Sequence, residues 1–306
     1  MTEHAAQPIA IIGLGRLGTA IAQRLLDAGY PVSGYDVSAA ATANAASIGV
    51  RTQDRCGEAV SGAQTVITVL PDAQVVAAVA PQILDAAERD SCWLEMSSSH
   101  PAVTRELAER GAARAVSLLD IPVAGGVAGA EQGTLTVMAA GPGPLLARVR
   151  PVLEVFGERI IHVSERPGDG DIAKTINNLL AAANLAAASE GLALGLAEGL
   201  DVEVLLDILN ASSGMSFATQ VQIPRFALAG AFNARFTVGQ YAKDSRVALD
   251  LAQRRGLSPA MLMCARDVWQ SLADAGHAGD DYTQITTLFA EAAGVAWPTP
   301  RRRDHR

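Results

Sequence analysis

Ile9-Ala10-Ile11-Ile12 is an uninterrupted apolar run, and Gly13-Leu14-Gly15-Arg16-Leu17-Gly18 follows it without a gap. Leu17, Ile21 and Leu25 then recur at helical spacing until Gly29, a suitable helix stop. A chain that opens as strand, glycine loop and helix has few folds open to it. The three glycines have separate tasks. Gly13 permits a tight turn, Gly15 lets a pyrophosphate approach backbone N–H groups, and Gly18 lets the helix pack closely on the strand. The glycine spacing alone is a weak signal, because a glycine-rich turn is often only a turn; its place directly after a strand strengthens it. So does Asp36, which closes Val32-Ser33-Gly34-Tyr35-Asp36 eighteen residues after Gly18. A carboxylate there accepts hydrogen bonds from ribose hydroxyls and repels a 2′-phosphate, so NAD is expected in preference to NADP. Val37 and Ser38, not an arginine, follow it, but a backward fold of Arg51 toward a phosphate keeps NADP open.

Strand-like runs alternate with helical patterns as far as about residue 163. Clear strands fall at 65–70, 92–96, 116–120, 135–138 and 160–163. Near-continuous apolar strands separated by helices indicate a mainly parallel, doubly wound α/β sheet of Rossmann type, covered on both faces. Ligands of such sheets bind beyond the carboxyl ends of the strands. Leu70-Pro71, Ser97-Ser98 and the stretch from Asp120 to Gly126 all lie just past strand ends and are expected to line one crevice. After Gly170 no convincing strand remains. Helices are expected at about 171–197, 202–210, 217–228, 239–255, 259–274 and 282–293. The resulting division is a dinucleotide-binding domain over 1–167, an all-helical domain over 168–296, and a disordered tail over 297–306. The long first helix, and not a flexible tether, joins the two domains.

That helix opens with Gly168-Asp169-Gly170-Asp171-Ile172-Ala173-Lys174-Thr175-Ile176-Asn177-Asn178. Lys174 and Asn178 are four apart and share one helix face. Apolar and amide residues follow the lysine, so its ammonium is poorly solvated. Desolvation lowers a lysine pKa, which makes the amine a proton donor and acceptor near neutral pH. A lone lysine at a helix end more often packs its stem and lets its charge reach water. Here it is accompanied by the glycines and asparagines.

Taken together, these motifs resemble the β-hydroxyacid dehydrogenase family over most of the chain, from about Ile9 to Ala293. The family's cofactor signature resembles Gly13 to Asp36, and its strand-end Leu-Pro resembles Leu70-Pro71. A Ser-Thr-x-x-Pro stretch resembles Ser97 to Pro101, and a substrate loop resembles Asp120 to Gly126, continuing through Gly129 and Gly133. The catalytic signature resembles Gly168 to Asn178, and a late Lys-Asp pair resembles Lys243-Asp244. The resemblance implies reversible hydride transfer between a nicotinamide cofactor and a small 3-hydroxy acid, such as one like 3-hydroxyisobutyrate. Lys174 would exchange the hydroxyl proton, and Asn178 would orient the substrate or the lysine. Substrate contacts are implied for Ser98, Ala124, Gly125, Gly126 and Met215. Cofactor contacts are implied for Gly13, Leu14, Gly15, Arg16, Leu17, Gly18, Asp36, Leu70, Pro71, Val75, Ser98 and Lys243. The resemblance also implies dimers or tetramers formed through the helical domain, whose many small residues, Gly191 and Gly195 among them, would let another helix approach.

The chain departs from the family at several points. The usual serine before the two glycines is Ala124, which removes a carboxylate-binding hydroxyl. Met215 stands where many relatives carry a polar or charged side chain. The two point to a substrate less polar, or differently anchored, than a sugar acid. Ser98 for a threonine, Glu95 for an aspartate and Leu17 for a methionine are milder changes. An imine reductase of the same architecture is an alternative, weakened by the presence of Lys174. A silent dinucleotide-binding module is a further one.

Bulk properties narrow the partners. A net charge of −8 and a pI near 5.2 argue against a nucleic-acid or anionic-membrane surface. Cys56, Cys92 and Cys264 lack paired spacing, so neither a disulfide framework nor a metal site is expected. The N-terminus lacks a signal-peptide pattern, and the uncharged run from Thr175 to Ser189 is too short to span a bilayer. A cytoplasmic enzyme acting on a small carboxylic acid is the expectation.

Overall fold

The structure, a computed structural model, describes residues 7–298. It divides into two compact units, one ending at Lys174 and the other beginning at Thr175. The division falls inside one continuous helix. The expected tail over 297–306 lies outside the described residues except for Trp297 and Pro298, and the Trp297 indole donates to the Ala227 carbonyl at 3.2 Å.

The first unit holds β1 (Ile9–Ile12), α1 (Arg16–Asp27), β2 (Val32–Tyr35), α2 (Ala39–Ser47), β3 (Arg51–Thr52), α3 (Cys56–Val60), β4 (Thr65–Thr68), α4 (Ala73–Ala86), β5 (Cys92–Glu95), α5 (Pro101–Ala112), β6 (Ser117–Asp120), β7 (Val123–Ala124), α6 (Gly126–Gln132), β8 (Leu135–Ala140), α7 (Gly143–Leu153) and β9 (Gly157–Ser164). The strands form one sheet in the order β3-β2-β1-β4-β5-β6-β8-β7, with β9 paired to β8. β1 to β6 pair in parallel, and β8 runs antiparallel to β6 and β7. Because β1 lies between β2 and β4, the chain reverses its direction of travel there, and the crevice of the sheet opens beyond the carboxyl ends of β1 and β4.

Alternate strand residues feed two separate cores. Ile9, Ile11, Ile67, Leu94 and Leu119 join one cluster with Ile21, Leu25, Leu145 and Val149 from α1 and α7. Ala10, Ile12, Val66, Trp93 and Leu118 join another with Val60, Val76, Ile83 and Leu107 from α3, α4 and α5. The two-residue period of a strand and helices on both faces therefore explain why these strands read as continuous apolar runs.

The second unit contains most of α8 (Asp169–Ala197), then α9 (Val202–Asn210), a π-helical segment Ala218–Leu228, α10 (Val238–Arg254), α11 (Ala260–Leu272) and α12 (Ile285–Ala292). Its core gathers Ala182, Leu185, Leu192, Leu206, Ile223, Tyr241, Trp269 and Tyr282. The Trp269 indole donates to the Ala182 carbonyl at 3.1 Å, so the aromatic body is buried without leaving its N–H unpaired. The segment at 218–228 departs from an α pitch and carries Pro224 inside it, a residue without an N–H whose ring crowds the turn before it. A Cβ at Gly195 would come within 2.3 Å of Leu205, so this glycine lets α8 and α9 approach. Gly191 faces open space instead.

The length of α8 corrects the sequence expectation about membrane spanning. The helix has 29 residues, and an 18-residue window of it with a mean hydropathy of 1.5 makes it long and apolar enough to cross a bilayer by length and composition. The uncharged run ends at Ser189, whereas the helix passes through Glu190 to Ala197. Leu179, Ala182, Leu185, Ala186, Leu192 and Ala193 are buried in the unit, which marks α8 as a core helix.

Candidate functional site

The glycine loop has the geometry its spacing requires. Gly13 has a φ of +100°, and a Cβ there would sit 2.2 Å from the Val69 carbonyl. A Cβ at Gly18 would sit 2.0 Å from the Gly13 carbonyl, so α1 can lie this close to the loop only without a side chain. Gly15 is different: nothing lies within 4 Å of the position a Cβ would take. Gly13 and Gly18 serve packing, and Gly15 leaves a cradle. Gly15 and Arg16 are exposed, and no side chain caps the start of α1. The first amides of that helix have no partner within it, so they point at the cradle as donors for an anion.

Leu14 has another part. Its side chain is in the core, and its N–H donates to Asp36 Oδ2 at 2.7 Å. Asp36 Oδ1 accepts from the Ser38 N–H, also at 2.7 Å. Each carboxylate oxygen keeps a further lone pair for a ribose hydroxyl. Arg51 lies on β3 opposite Ser33, three residues before the level of Asp36.

The next strand ends are tied together. Leu70 N–H donates to Ser97 Oγ at 2.9 Å, fixing the end of β4 against that of β5. Pro71 and Ser98 are exposed beyond those strands, and Val75 is half-buried in the first turn of α4, which Asp72 caps. Leu17 is half-buried against the core of the same unit. At the end of β7 Ala124 is half-buried, and beyond it Gly125 and Gly126 are exposed. Both glycines adopt left-handed conformations, with φ of +119° and +61°, so the chain turns there in a way that side chains rarely allow.

Three acidic side chains at this end of the sheet had no role in the sequence reading. Glu95 and Asp120 are paired across β5 and β6 and are fully buried. Burial pushes the Glu95 carboxyl up to about 7, with the Asp120 charge adding to the rise and bonds from Ser97 and Thr68 opposing it. Burial likewise pushes Asp120 up to about 6, against N–H bonds from Gly168 and Asp171 that lower it. Asp171 is raised well above its ordinary value by burial and then by the charges of Glu95 and Asp120. Its carboxyl accepts the Thr104 hydroxyl at 2.6 Å. The signal for these roles was the Gly168-Asp-Gly-Asp171 spacing, in which small residues alternate with acids.

Lys174 is half-buried on α8, one turn beyond Asp171. Within the second unit, Asn178 is half-buried on the same helix, and its Nδ2 donates to Asp244 Oδ2 on α10 at 2.8 Å. The amide is therefore held by a side chain and not by helix backbone, and Asp244 is the partner that sequence reasoning missed. Lys243, next to it, is half-buried. Met215 is 59% exposed, and its sulfur accepts from Gln220 Nε2 at 3.6 Å. Among the described residues no group of histidine, cysteine and acidic side chains is arranged to hold a metal ion.

Comparison with known proteins follows the same division. Residues 8–164 match a family model described as the NAD binding domain of 6-phosphogluconate dehydrogenase. Residues 168–289 match one described as NAD-binding of NADP-dependent 3-hydroxyisobutyrate dehydrogenase. The chain is 34% identical over 292 residues to 3-hydroxyisobutyrate dehydrogenase of Pseudomonas aeruginosa, covering 92% of this chain and 98% of that protein. It is 30% identical over 291 residues to 2-(hydroxymethyl)glutarate dehydrogenase of Eubacterium barkeri, covering 94% and 96%. A solved structure of Mycobacterium tuberculosis 3-hydroxyisobutyrate dehydrogenase with L-serine resembles it with a TM-score of 0.86 and 31% identity, covering 92% of this chain and 98% of that one.

Proposed function

Because the chain belongs to the β-hydroxyacid dehydrogenase family, we propose that it is an NAD(P)-dependent oxidoreductase of a small 3-hydroxy acid in which Lys174 exchanges the hydroxyl proton. The observation that carries the reading is a pairing within one unit. A glycine cradle opens at the switch point of the sheet, and the helix bearing Lys174 starts against the end of β6.

The residues present fit a dinucleotide. The open cradle at Gly15 and the uncapped start of α1 suit a pyrophosphate, and Asp36 suits an unphosphorylated ribose. NAD is therefore the preferred partner, with Arg51 on β3 keeping NADP as the alternative. When bound, the nicotinamide supplies the hydride acceptor or donor. Lys174 takes the hydroxyl proton during oxidation and returns it to the developing alkoxide during reduction. Asn178, its amide turned by Asp244, orients the lysine or the substrate.

The names of the two relatives share a chemical core, a hydroxymethyl group on the carbon that bears a carboxylate. For this chain the carboxylate is assigned to the backbone N–H groups at Gly125 and Gly126 and to the Ser98 hydroxyl, since all three residues are exposed and glycine puts no side chain in the way of approach. Ala124 contributes no hydroxyl, and Met215 presents a thioether, so the remaining substituent is less polar than that of a sugar acid. Ile176, Leu180, Leu194, Val204 and Ile208 leave an apolar surface on α8 and α9, and assembly into a dimer or tetramer is proposed to cover it. Initial rates with NAD and NADP across 3-hydroxy acids, their semialdehydes and cyclic imines test the reading. Turnover of a 3-hydroxy acid supports it; turnover of cyclic imines alone replaces it with the imine-reductase alternative.

A further inference from the structure

The head of α8 is fastened by side chains that take no part in the proton exchange described above. Asp120, at the end of β6, accepts the Gly168 N–H at 2.7 Å on one oxygen and the Asp171 N–H at 3.0 Å on the other. The first amides of a helix have no partner within it, and a carboxylate at that end also meets the positive pole of the helix dipole. The seat is close-fitting on every side. A Cβ at Gly170 would lie 2.7 Å from Asp120 Oδ2 and 2.6 Å from the Met138 carbonyl. Gly168 has a φ of +88°, and a Cβ on it would lie 2.7 Å from the Pro101 carbonyl. Asp171 is bound to Thr104, and Asp169 to Arg105 at 2.9 Å and Arg166 at 3.0 Å.

Lys174 is three residues past Asp171, which is about 4.5 Å along the axis of a helix. A helix is stiff over so short a span, so a shift of its first turn carries the lysine with it. We propose that Asp120 is a positioning residue for the reaction: through the N–H groups of Gly168 and Asp171 it fixes the seat of α8, and thereby the place of the Lys174 amine. The proposal rests on the reading of Lys174 as the proton-exchanging group. The acid is specifically suited to this. Two N–H donors need two acceptors, which a carboxylate offers, whereas an amide offers one acceptor and turns its own donor toward the other N–H.

The test uses the full chain with Asp120→Asn and Gly170→Ala, which disturb the same seat from opposite sides. For each, kcat per folded, NADH-binding molecule is measured with a 3-hydroxy acid, together with NADH affinity by fluorescence titration. Misplacement by about an ångström lowers kcat on the order of 10²-fold, and NADH affinity stays within a few-fold of wild type. Asp120→Asn is also combined with Lys174→Met. If Asp120 acts through the lysine, the second substitution adds no further loss. A kcat within threefold of wild type in either folded variant, or an undiminished further loss in the Lys174→Met background, overturns the proposal and leaves the reading of Lys174 intact. Full activity in Lys174→Met alone removes both, and identifies the lysine as the failed step.

Discussion

Replacing Glu95 with glutamine changes how stability depends on pH. The Glu95 side chain is fully buried, Oε1 accepts from the Ser97 N–H at 2.8 Å and the Thr68 hydroxyl at 3.1 Å, and Oε2 has no partner among the described residues. Burial raises its pKa from 4.5 to about 7. The folded state thus holds the proton more tightly than the unfolded chain. The contribution of Glu95 is most favourable below pH 4.5, declines as pH rises, and levels off above about 7. At 1.36 kcal/mol per pKa unit, the loss across that window is about 3 kcal/mol. Glutamine does not titrate, so Glu95→Gln should flatten the fall in stability by about that amount. Its amide nitrogen takes the place of an oxygen without a partner among the described residues, which shifts stability equally at every pH, so the slope is the readout. Asp120, raised to about 6, keeps a smaller decline in the same direction. Urea midpoints from pH 4.5 to 8 measure the effect. An unchanged slope in the variant would show that Glu95 does not hold its proton in this window.

Two further substitutions test the cofactor and substrate assignments. Asp36→Ser should narrow the preference for NAD by removing a charge that repels a 2′-phosphate, and it should weaken both cofactors because the Leu14 N–H loses its carboxylate partner. Equal kcat/KM for NAD and NADP in the unaltered protein would contradict the assignment. Gly126→Val should abolish turnover while NADH titration stays near normal, since a β-branched residue at a φ of +61° forces the loop to rearrange. Retained turnover would show that the loop is only a turn.

The fold was legible because its signals are local. The apolar run at Ile9 to Ile12, the glycine spacing and the acid at Asp36 each lie within a few residues, and each of the three glycines has the environment its spacing implies. The expected strands and helices occur within a few residues of their expected positions, including the helix Val202–Asn210. What escaped the sequence was pairing at long range. Asp120 is 48 residues from Gly168, and Asn178 is 66 from Asp244; no periodicity connects them. The same holds for Leu14 and Asp36, whose motif was recognised although the bond joining its parts was not. The extent of α8, expected over 171–197, was legible as well; only the uncharged run inside it, which Glu190 ends, is shorter than the helix.

The most direct measurement is turnover of a 3-hydroxy acid by Lys174→Met, alongside its NADH affinity. Methionine retains most of the side chain's apolar bulk and removes the amine, so folding and NADH binding should persist. General acid–base groups contribute on the order of 10²–10⁴ in rate, and kcat should fall by that factor. The oxidation pH profile of the unaltered enzyme should rise as the proton-accepting group loses its proton, and the variant should lack that limb. A variant that binds NADH and turns over the acid at near the original rate, with the limb intact, would contradict the account.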